Sequence, residues 1–271
     1  MKRARRILAA WLLCVLLTAC AAQTGETAGL TVDILSTGKS DSILIRMDDL
    51  TVLLDAADAD DTGTIRAALE NGAVKCIDCL LLSHFDKDHI GAAAWVLENY
   101  PVARILSPDY PEDSEAYAAL LRIAEEKAIP WERLHESVTL ETENGTLTVD
   151  PPDEVYEDDN NNSLICELAY GEYALLFTGD ALKKRLNSFL PEAAEHYDFI
   201  KLPHHGDDNK ALTALLEATH PDYAAETIGA DMAVESSLLQ TLSRLGVQLY
   251  TTDRGAIRLT VSETGFSVVQ P

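Results

Sequence analysis

The spacing of apolar positions from residue 30 onward predicts strands that give way to alternating strands and helices. Apolar runs at residues 31–37, 41–47 and 51–56 have the length of strands. Residues 64–71 and 114–128 instead repeat their apolar positions at helical spacing. The first half is therefore predicted to contain a sheet followed by strand–helix units.

The second half repeats this order. Apolar runs at residues 163–170 and 173–179 flank a Gly-Glu turn and predict a hairpin. Helical spacing then alternates with short apolar runs up to residue 245. Two halves, each a sheet covered by helices, predict the α/β class and a four-layer αββα sandwich, with residues 30–271 forming one domain.

The amino terminus has the pattern of an exported protein. Four basic residues within the first six positions precede an apolar run at residues 7–17, which is too short to span a bilayer comfortably. Residues 1–19 are therefore predicted to be a signal peptide. The alternative is a short membrane anchor that stays attached.

The end of this leader carries a further signal. Leu-Thr-Ala-Cys at residues 17–20 resembles the bacterial lipobox, whose cysteine becomes the lipid-modified first residue of the mature protein. The resemblance implies lipidation of Cys20, with residues 20–29 as a small, polar tether. We therefore expect an extracytoplasmic protein that is lipid-anchored to the cell membrane.

The charge of the chain bears on its partners. The formal net charge is −24, and a surface this acidic repels polyanions. The sequence therefore favours a small-molecule or cell-envelope substrate and leaves nucleic acid as the disfavoured alternative.

A cluster of potential metal ligands begins at the end of the apolar run at residues 76–84. His84, Asp86, Asp88 and His89 lie within six positions, and alternate side chains of an extended segment would point to one side. Imidazole and carboxylate together suit zinc, manganese or iron better than calcium. The alternative is a polar loop in which Asp88 caps the next helix.

Two later strand ends carry similar residues. His204 and His205 follow the apolar run at residues 198–202, and Asp180 follows the run at 173–179. A carboxylate delivered by an apolar strand fits the bridging ligand between two metal ions. The other histidines are isolated among polar residues, and we expect them at the surface.

Together these motifs resemble a known family. The segments at residues 84–91, 178–181 and 202–206 are similar to the metal-binding motifs of the metallo-β-lactamase superfamily. The Asn-Asn-x-Ser segment at 160–163 and the Thr-Asp-Arg-Gly-Ala-Ile segment at 252–257 are similar to the carboxyl-terminal hydrolase domain of the competence protein ComEC and its exported relatives. The match runs in order through most of the chain.

This resemblance implies the metallo-β-lactamase sandwich and a site for one or two divalent metal ions, zinc or manganese. The implied metal ligands are His84, Asp86, Asp88, His89, Asp180 and one of His204 and His205. Asp88 and Asp180 would also be the catalytic residues. Substrate contacts are expected from Asn161, Ser163, Asp207 and Asn209.

The sequence also departs from the family pattern. Asp86 stands where the superfamily usually has histidine, which makes the ligand set harder and favours manganese relative to zinc. The region around residues 160–163 lacks the superfamily's third histidine, so the metal implied at His84 and Asp86 is expected to be weakly bound or absent. Asp207 and Asp208 follow the His-His-Gly motif and discourage a phosphate-rich polymer.

These observations favour a metal-dependent hydrolase, acting outside the cytoplasmic membrane on a phosphoester or phosphodiester. The alternative is a lipoprotein that keeps the fold and binds a metal or ligand without turnover.

We predict that Cys20→Ala releases the protein from membranes or blocks its processing, because the substitution removes the lipid attachment point. Membrane fractionation and gel mobility test this. A variant that fractionates and migrates like the parent would show that the lipoprotein interpretation is wrong.

Overall fold

The computed structural model describes residues 29–207, 209–262 and 264–270, and within them the strands form two sheets. The strands of the first sheet, in spatial order, are β15 (Gly265–Val269), β14 (Ile257–Ser262), β1 (Leu30–Ile34), β2 (Ile43–Met47), β3 (Leu50–Leu54), β4 (Cys79–Leu81), β5 (Ile105–Pro108) and β6 (Trp131–Leu134). Strands β3 to β6 pair in parallel, and the other neighbours are antiparallel.

The second sheet is built in the same way. Its strands, in spatial order, are β13 (Gln248–Thr251), β12 (Tyr223–Glu226), β11 (Phe199–Lys201), β10 (Tyr173–Phe177), β9 (Ile165–Tyr170), β8 (Gly145–Asp150) and β7 (Val138–Glu141). Strands β10 to β13 are parallel, and β7 to β10 are antiparallel. Each sheet thus has a parallel part whose strand ends point the same way.

Helices cover the outer face of each sheet. The first sheet carries α1 (Thr62–Asn71), α2 (Lys87–Ile90), α3 (Ala93–Asn99) and α4 (Glu115–Glu126), and the second carries α5 (Lys183–Phe189), α6 (Lys210–Thr219) and α7 (Ser236–Leu245). Helix α4 begins at a serine cap, where the Ser114 hydroxyl accepts a hydrogen bond from the backbone N–H of Tyr117.

The alternation of side chains along each strand separates three apolar cores. Ile45, Leu81 and Phe177 belong to the core between the two sheets. Their neighbours Leu44 and Leu80 point the other way, into the core beneath α1, α3 and α4. A third core lies between the second sheet and α5, α6 and α7. The fold is therefore the predicted αββα sandwich.

Most strands and helices lie where the apolar pattern predicts them, with three differences. Strands β6 and β15 were not predicted, because they are half-exposed edge strands of only four and five residues, too short for a clear apolar pattern. The third difference is the short helix α2, which begins at Lys87 and was not predicted.

Some predictions fall on residues that the structure does not describe. These are the signal peptide, Cys20 and the tether up to residue 28, together with Asp208 of the acidic pair. Among the residues that are described, no helix has the length and apolarity needed to cross a bilayer.

We predict that Gly91→Ala destabilises the fold. A Cβ atom there would lie 2.5 Å from the Lys87 carbonyl oxygen and 2.6 Å from the Ala59 nitrogen, and backbone atoms yield poorly. The free energy of unfolding should fall by about 1–3 kcal/mol, measured by urea denaturation.

The matched control is Gly63→Ala. Gly63 lies in α1 with open space around its Cα atom, so alanine should raise the free energy of unfolding by about 0.5–1 kcal/mol. Equal unfolding midpoints for both variants would contradict close packing at Gly91.

Candidate metal centre

The carboxyl ends of strands from both sheets meet at one edge of the sandwich. Asp55 follows β3 and His84 follows β4 in the first sheet, whereas Asp180 and His205 follow β10 and β11 in the second. The His89 Nε2 atom lies 3.3 Å from Asp180 Oδ2, so the groups from the two sheets are in direct contact. Ligand motifs that are distant in sequence therefore share one site.

The segment from His84 to His89 is only partly extended, contrary to the expectation from the sequence, because Asp86 has extended backbone and a helix begins at Lys87. Helix α2 forms a single helical turn here, and it brings the imidazole rings of His84 and His89 to 4.1 Å between centroids. The carbonyl oxygens of Asp88 and His89 accept hydrogen bonds from the backbone N–H groups of Asp41 (3.0 Å) and Ala56 (2.7 Å). The loops after β1 and β3 thus donate hydrogen bonds to the carbonyl groups of this turn and hold it over the end of β4.

Hydrogen bonds fix how His84 and His89 are oriented. The Ser83 hydroxyl donates to Asp55 Oδ2 at 2.6 Å, so its lone pairs are left to accept from His84 Nδ1 at 3.0 Å. His89 Nδ1 lies 2.8 Å from the same Asp55 oxygen, which can only accept while the carboxylate is ionised. Both rings therefore carry hydrogen on Nδ1 and turn Nε2 toward the site, where that nitrogen would bind a cation in its unprotonated form.

Four buried polar atoms around the centre make no well-formed hydrogen bond, although each lies 3.1–3.6 Å from an ionisable neighbour. Buried polar atoms left unpaired include His84 Nε2, His89 Nε2, His205 Nε2 and Asp180 Oδ1. His205 Nε2 lies 3.1 Å from Asp180 Oδ2 and 3.7 Å from Asp88 Oδ2. An unpaired buried polar group costs about 1–3 kcal/mol, and a divalent cation would satisfy several at once.

The donor groups fall into two overlapping sets. One joins His84, His89 and Asp180, and the other joins Asp88, His89 and His205, with the ligand atoms of each set within 4.8 Å of one another. Imidazole nitrogen and carboxylate oxygen at this spacing fit a transition metal ion. The residues present therefore fit the one or two cations that the sequence implies.

Asp86 lies at the mouth of the site. Its side chain is 41% exposed, and its Oδ2 atom is 3.6 Å from His84 Nε2. It can reach a cation at His84 only from the solvent side. The set of Asp88, His89 and His205 is more complete, because Asp180 Oδ2 lies 3.1 Å from His205 Nε2 and adds a fourth donor.

The structure separates the two adjacent histidines. His205 is buried and faces the site, whereas His204 Nδ1 lies 3.3 Å from the exposed carboxylate of Asp207. A left-handed turn causes this, because His204, His205 and Gly206 have φ angles of 46°, 53° and 78°. Such backbone costs about 1–3 kcal/mol for a non-glycine residue, and here it aims one imidazole inward.

Two of the residues predicted to contact substrate, Asn161 and Ser163, hold backbone at the site with their side-chain oxygens. The Asn161 side-chain oxygen accepts from the backbone N–H groups of Lys184 and Arg185 at the start of α5. The buried Ser163 hydroxyl accepts from the backbone N–H of Asp180 at 3.2 Å. Both side chains hold the loop that delivers Asp180.

The other two expected contacts lie beside α6. The Asn209 side-chain oxygen caps this helix by accepting from the backbone N–H groups of Ala211 and Leu212. Asp207 is exposed and pairs with His204, so it remains accessible at the rim.

Lys201 is a buried charge that the sequence analysis did not select. Its ammonium group contacts Asp41 Oδ2 and lies 3.6 Å from Asp180 Oδ1. Burial alone would lower the pKa of Lys201, but the carboxylates of Asp41 and Asp180 raise it. A lysine inside the apolar run of β11 was the signal that could have identified it, because lysine is rarely buried without a partner.

The surroundings of Asp180 and Asp88 favour the ionised form of both carboxylates. Burial opposes ionisation of Asp180, but the neighbouring His89, His205 and Lys201 bring its pKa well below the usual value. Burial likewise opposes ionisation of Asp88, yet contact with His205 and the charge of His89 lower its pKa to about 2. The site therefore presents anionic oxygen at neutral pH.

The same carboxylates act on the histidines. Burial alone would lower the pKa of His89, but Asp180 and Asp55 raise it well above the usual value. Protons and metal ions compete for these nitrogens, so binding of a cation would release protons.

Comparison with known proteins gives a family match. Residues 35–225 match the family model described as the metallo-beta-lactamase superfamily. The chain is 27% identical over 247 residues to competence protein ComA of Neisseria gonorrhoeae, covering 86% of the chain and 33% of that relative. It is 25% identical over 194 residues to ComE operon protein 3 of Bacillus subtilis, covering 67% of the chain and 24% of that relative. The chain thus spans about a quarter to a third of the length of these relatives.

Solved structures share the fold. The metallo-beta-lactamase fold protein YhfI from Bacillus subtilis matches with a TM-score of 0.56 at 12% identity, over 82% of this chain and 97% of that one. A structure described as a new diphosphatase from the PhnP family matches with a TM-score of 0.50 at 15% identity, over 82% and 94%. At these identities the similarity concerns the fold alone.

We predict that the adjacent histidines differ sharply in metal binding. His205→Ala should weaken Mn²⁺ or Zn²⁺ affinity by at least about a hundredfold, because it removes a buried nitrogen that faces Asp88 and Asp180. His204→Ala, the matched control, should change the affinity by no more than about twofold, because its ring points to the rim. Isothermal titration calorimetry measures the metal affinity of both variants. Equal losses of affinity would contradict the prediction that only His205 is a metal ligand.

Proposed function

Because the chain belongs to the metallo-β-lactamase superfamily, we propose that it is a metal-dependent hydrolase of phosphoester or phosphodiester bonds. The observation that carries this proposal is the convergence of unpaired buried atoms from His84, His89, His205 and Asp180. Groups left unpaired in the interior are costly, and a cation site is the use that accounts for all four together.

In this proposal the chain holds one cation firmly and a second one weakly. Asp88, His89, Asp180 and His205 would hold the first, and His84 with Asp86 would hold the second beside Asp180. Bound divalent cations lower the pKa of water and stabilise the charge that develops on phosphate oxygens. The three carboxylates make the set harder than a three-histidine pocket, so manganese should support activity at least as well as zinc.

Residues of the chain would supply the remaining functions. The Asp88 side chain is 27% exposed and ionised, so its Oδ2 atom can accept a hydrogen bond from an attacking water molecule at the mouth. Asp180 is buried with Lys201 on one side and the imidazoles on the other, which keeps its carboxylate fixed. Asp88 is therefore the candidate proton acceptor and Asp180 the candidate central ligand.

The substrate class is supported by chemistry and charge. A fold neighbour is described as a diphosphatase, and ionised carboxylates around divalent cations suit displacement at phosphorus. The curated relatives are named for competence, but a net charge of −24 opposes binding of a polyanion. A small or cell-envelope phosphoester is therefore favoured over duplex DNA.

The place of action rests on the amino terminus. The basic start, the short apolar run and the Leu-Thr-Ala-Cys segment support export and lipid attachment at Cys20. The hydrolase would then work on the outer side of the cell membrane.

We predict that Asp180→Asn lowers kcat/KM by at least about a hundredfold, because the amide keeps the shape of the side chain and loses its charge. The parent is first assayed with bis(p-nitrophenyl) phosphate and p-nitrophenyl phosphate, with Mn²⁺, Zn²⁺ and Mg²⁺ added singly. The better substrate then serves for the variant.

Lys87→Ala is the control within the same motif. The Lys87 side chain is 79% exposed and pairs with Asp58, so turnover should stay at the parent level. Comparable turnover by Asp180→Asn, with an unchanged melting temperature, would refute the mechanism. A parent that binds metal and hydrolyses neither compound would favour the binding lipoprotein instead.

A further inference from the structure

The outer nitrogen of His205 contacts a hydroxyl group rather than a carboxylate. His205 Nδ1 lies 2.9 Å from Thr227 Oγ1, and 3.7 Å from the nearest oxygen of Asp41. The longer distance exceeds a hydrogen bond, so the threonine hydroxyl fills the gap between the imidazole and the carboxylate. Both Thr227 and Asp41 are buried.

The Thr227 hydroxyl has one proton, and this fixes the direction of its hydrogen bonds with Asp41 and His205. Thr227 Oγ1 donates its single proton to Asp41 Oδ1 at 2.6 Å. Toward His205 the hydroxyl can then only accept, so the proton between them belongs to His205 Nδ1. The Nε2 lone pair of His205 is consequently left facing Asp88 and Asp180.

Asp41 is itself firmly held. Lys201 contacts its other carboxylate oxygen, the backbone N–H of Asp41 donates to the Asp88 carbonyl, and its carbonyl accepts from Ala57 at 2.8 Å. A fixed, ionised acceptor dictates where the Thr227 hydroxyl points. The chain of contacts from Lys201 through Asp41 and Thr227 therefore ends on the imidazole of His205.

We propose that Thr227 is a positioning residue of the metal centre, whose hydroxyl, oriented by Asp41 and Lys201, fixes His205 as a ligand through Nε2. This rests on the metal site of the proposed function. Thr227 lies outside the metal-binding motifs. It follows β12 and contacts the imidazole of His205 on the side away from the site.

The two imidazoles of the more complete set are thus supported differently. Asp55 contacts His89 Nδ1 directly at 2.8 Å, whereas a neutral hydroxyl contacts His205. A carboxylate makes an imidazole a stronger ligand than a hydroxyl does. The orientation of His205 depends on the hydroxyl group of Thr227. Substitutions of Thr227 that remove this hydroxyl should therefore weaken metal binding.

The test compares Thr227→Val with Thr227→Ser. Valine keeps the shape of threonine and removes the hydroxyl, whereas serine keeps the hydroxyl. Thr227→Val should weaken Co²⁺ and Mn²⁺ affinity by about 10–100-fold in calorimetric titration, and Thr227→Ser should stay near the parent. The visible absorption of bound Co²⁺ should change in the valine variant alone, because one nitrogen ligand is displaced.

A second measurement separates positioning from general stability. In a His205→Ala background, Thr227→Val should have no further effect on metal affinity, since the hydroxyl acts through His205. An additional loss there would overturn the proposal, as would equal weakening by valine and serine or unchanged binding by the valine variant. Thr227→Ala replaces valine in the same comparisons if Thr227→Val does not fold.

The outcomes also separate this proposal from the proposed function. If His205→Ala weakens binding and Thr227→Val does not, the positioning role alone is wrong. If the parent takes up no divalent cation, the metal site is wrong and the role of Thr227 is overturned with it.

Discussion

Burial of ionised carboxylates between the two sheets is the constraint on which the site depends. Asp180 is almost fully buried, and its charge is tolerable only because Lys201, His89 and His205 surround it. These partners come from both sheets, so the sandwich must close before the charge is compensated. The arrangement leaves nitrogen and oxygen atoms pointing at a common centre without partners, which is the physical basis of the metal proposal.

Much of the architecture was predictable, because apolar runs of strand length alternate with helical spacing and the polar motifs come directly after those runs. The choice between His204 and His205 was not. It depends on two consecutive histidines with positive φ, a backbone that residue type does not dictate. Lys201 was missed since its run reads as an ordinary strand, and its role appears only when Asp41, 160 positions earlier in the sequence, lies beside it.

The roles of the polar residues near the metal-binding motifs were the hardest feature to predict from the sequence. The substrate contacts of Asn161, Ser163 and Asn209 stay predictions, and the structure shows that the side-chain oxygen of each accepts a hydrogen bond from backbone N–H. Which side of the backbone an amide or hydroxyl serves depends on the local turn. The residue type does not determine whether such a side chain hydrogen-bonds to backbone or faces the site. A buried imidazole beside a carboxylate has fewer possible partners, so its role is easier to predict.

The hydrogen bond between Thr227 and Asp41 joins residues 186 positions apart, and this separation affects how the molecule is made. Contacts so distant in sequence form late, after most of the chain-closure entropy has been lost. The centre therefore has no counterpart in a partly synthesised chain, and cation capture must follow completion of both halves. A cation that enters afterwards would fasten the first half of the polypeptide to the second, so the supply of metal would regulate the lifetime of the fold.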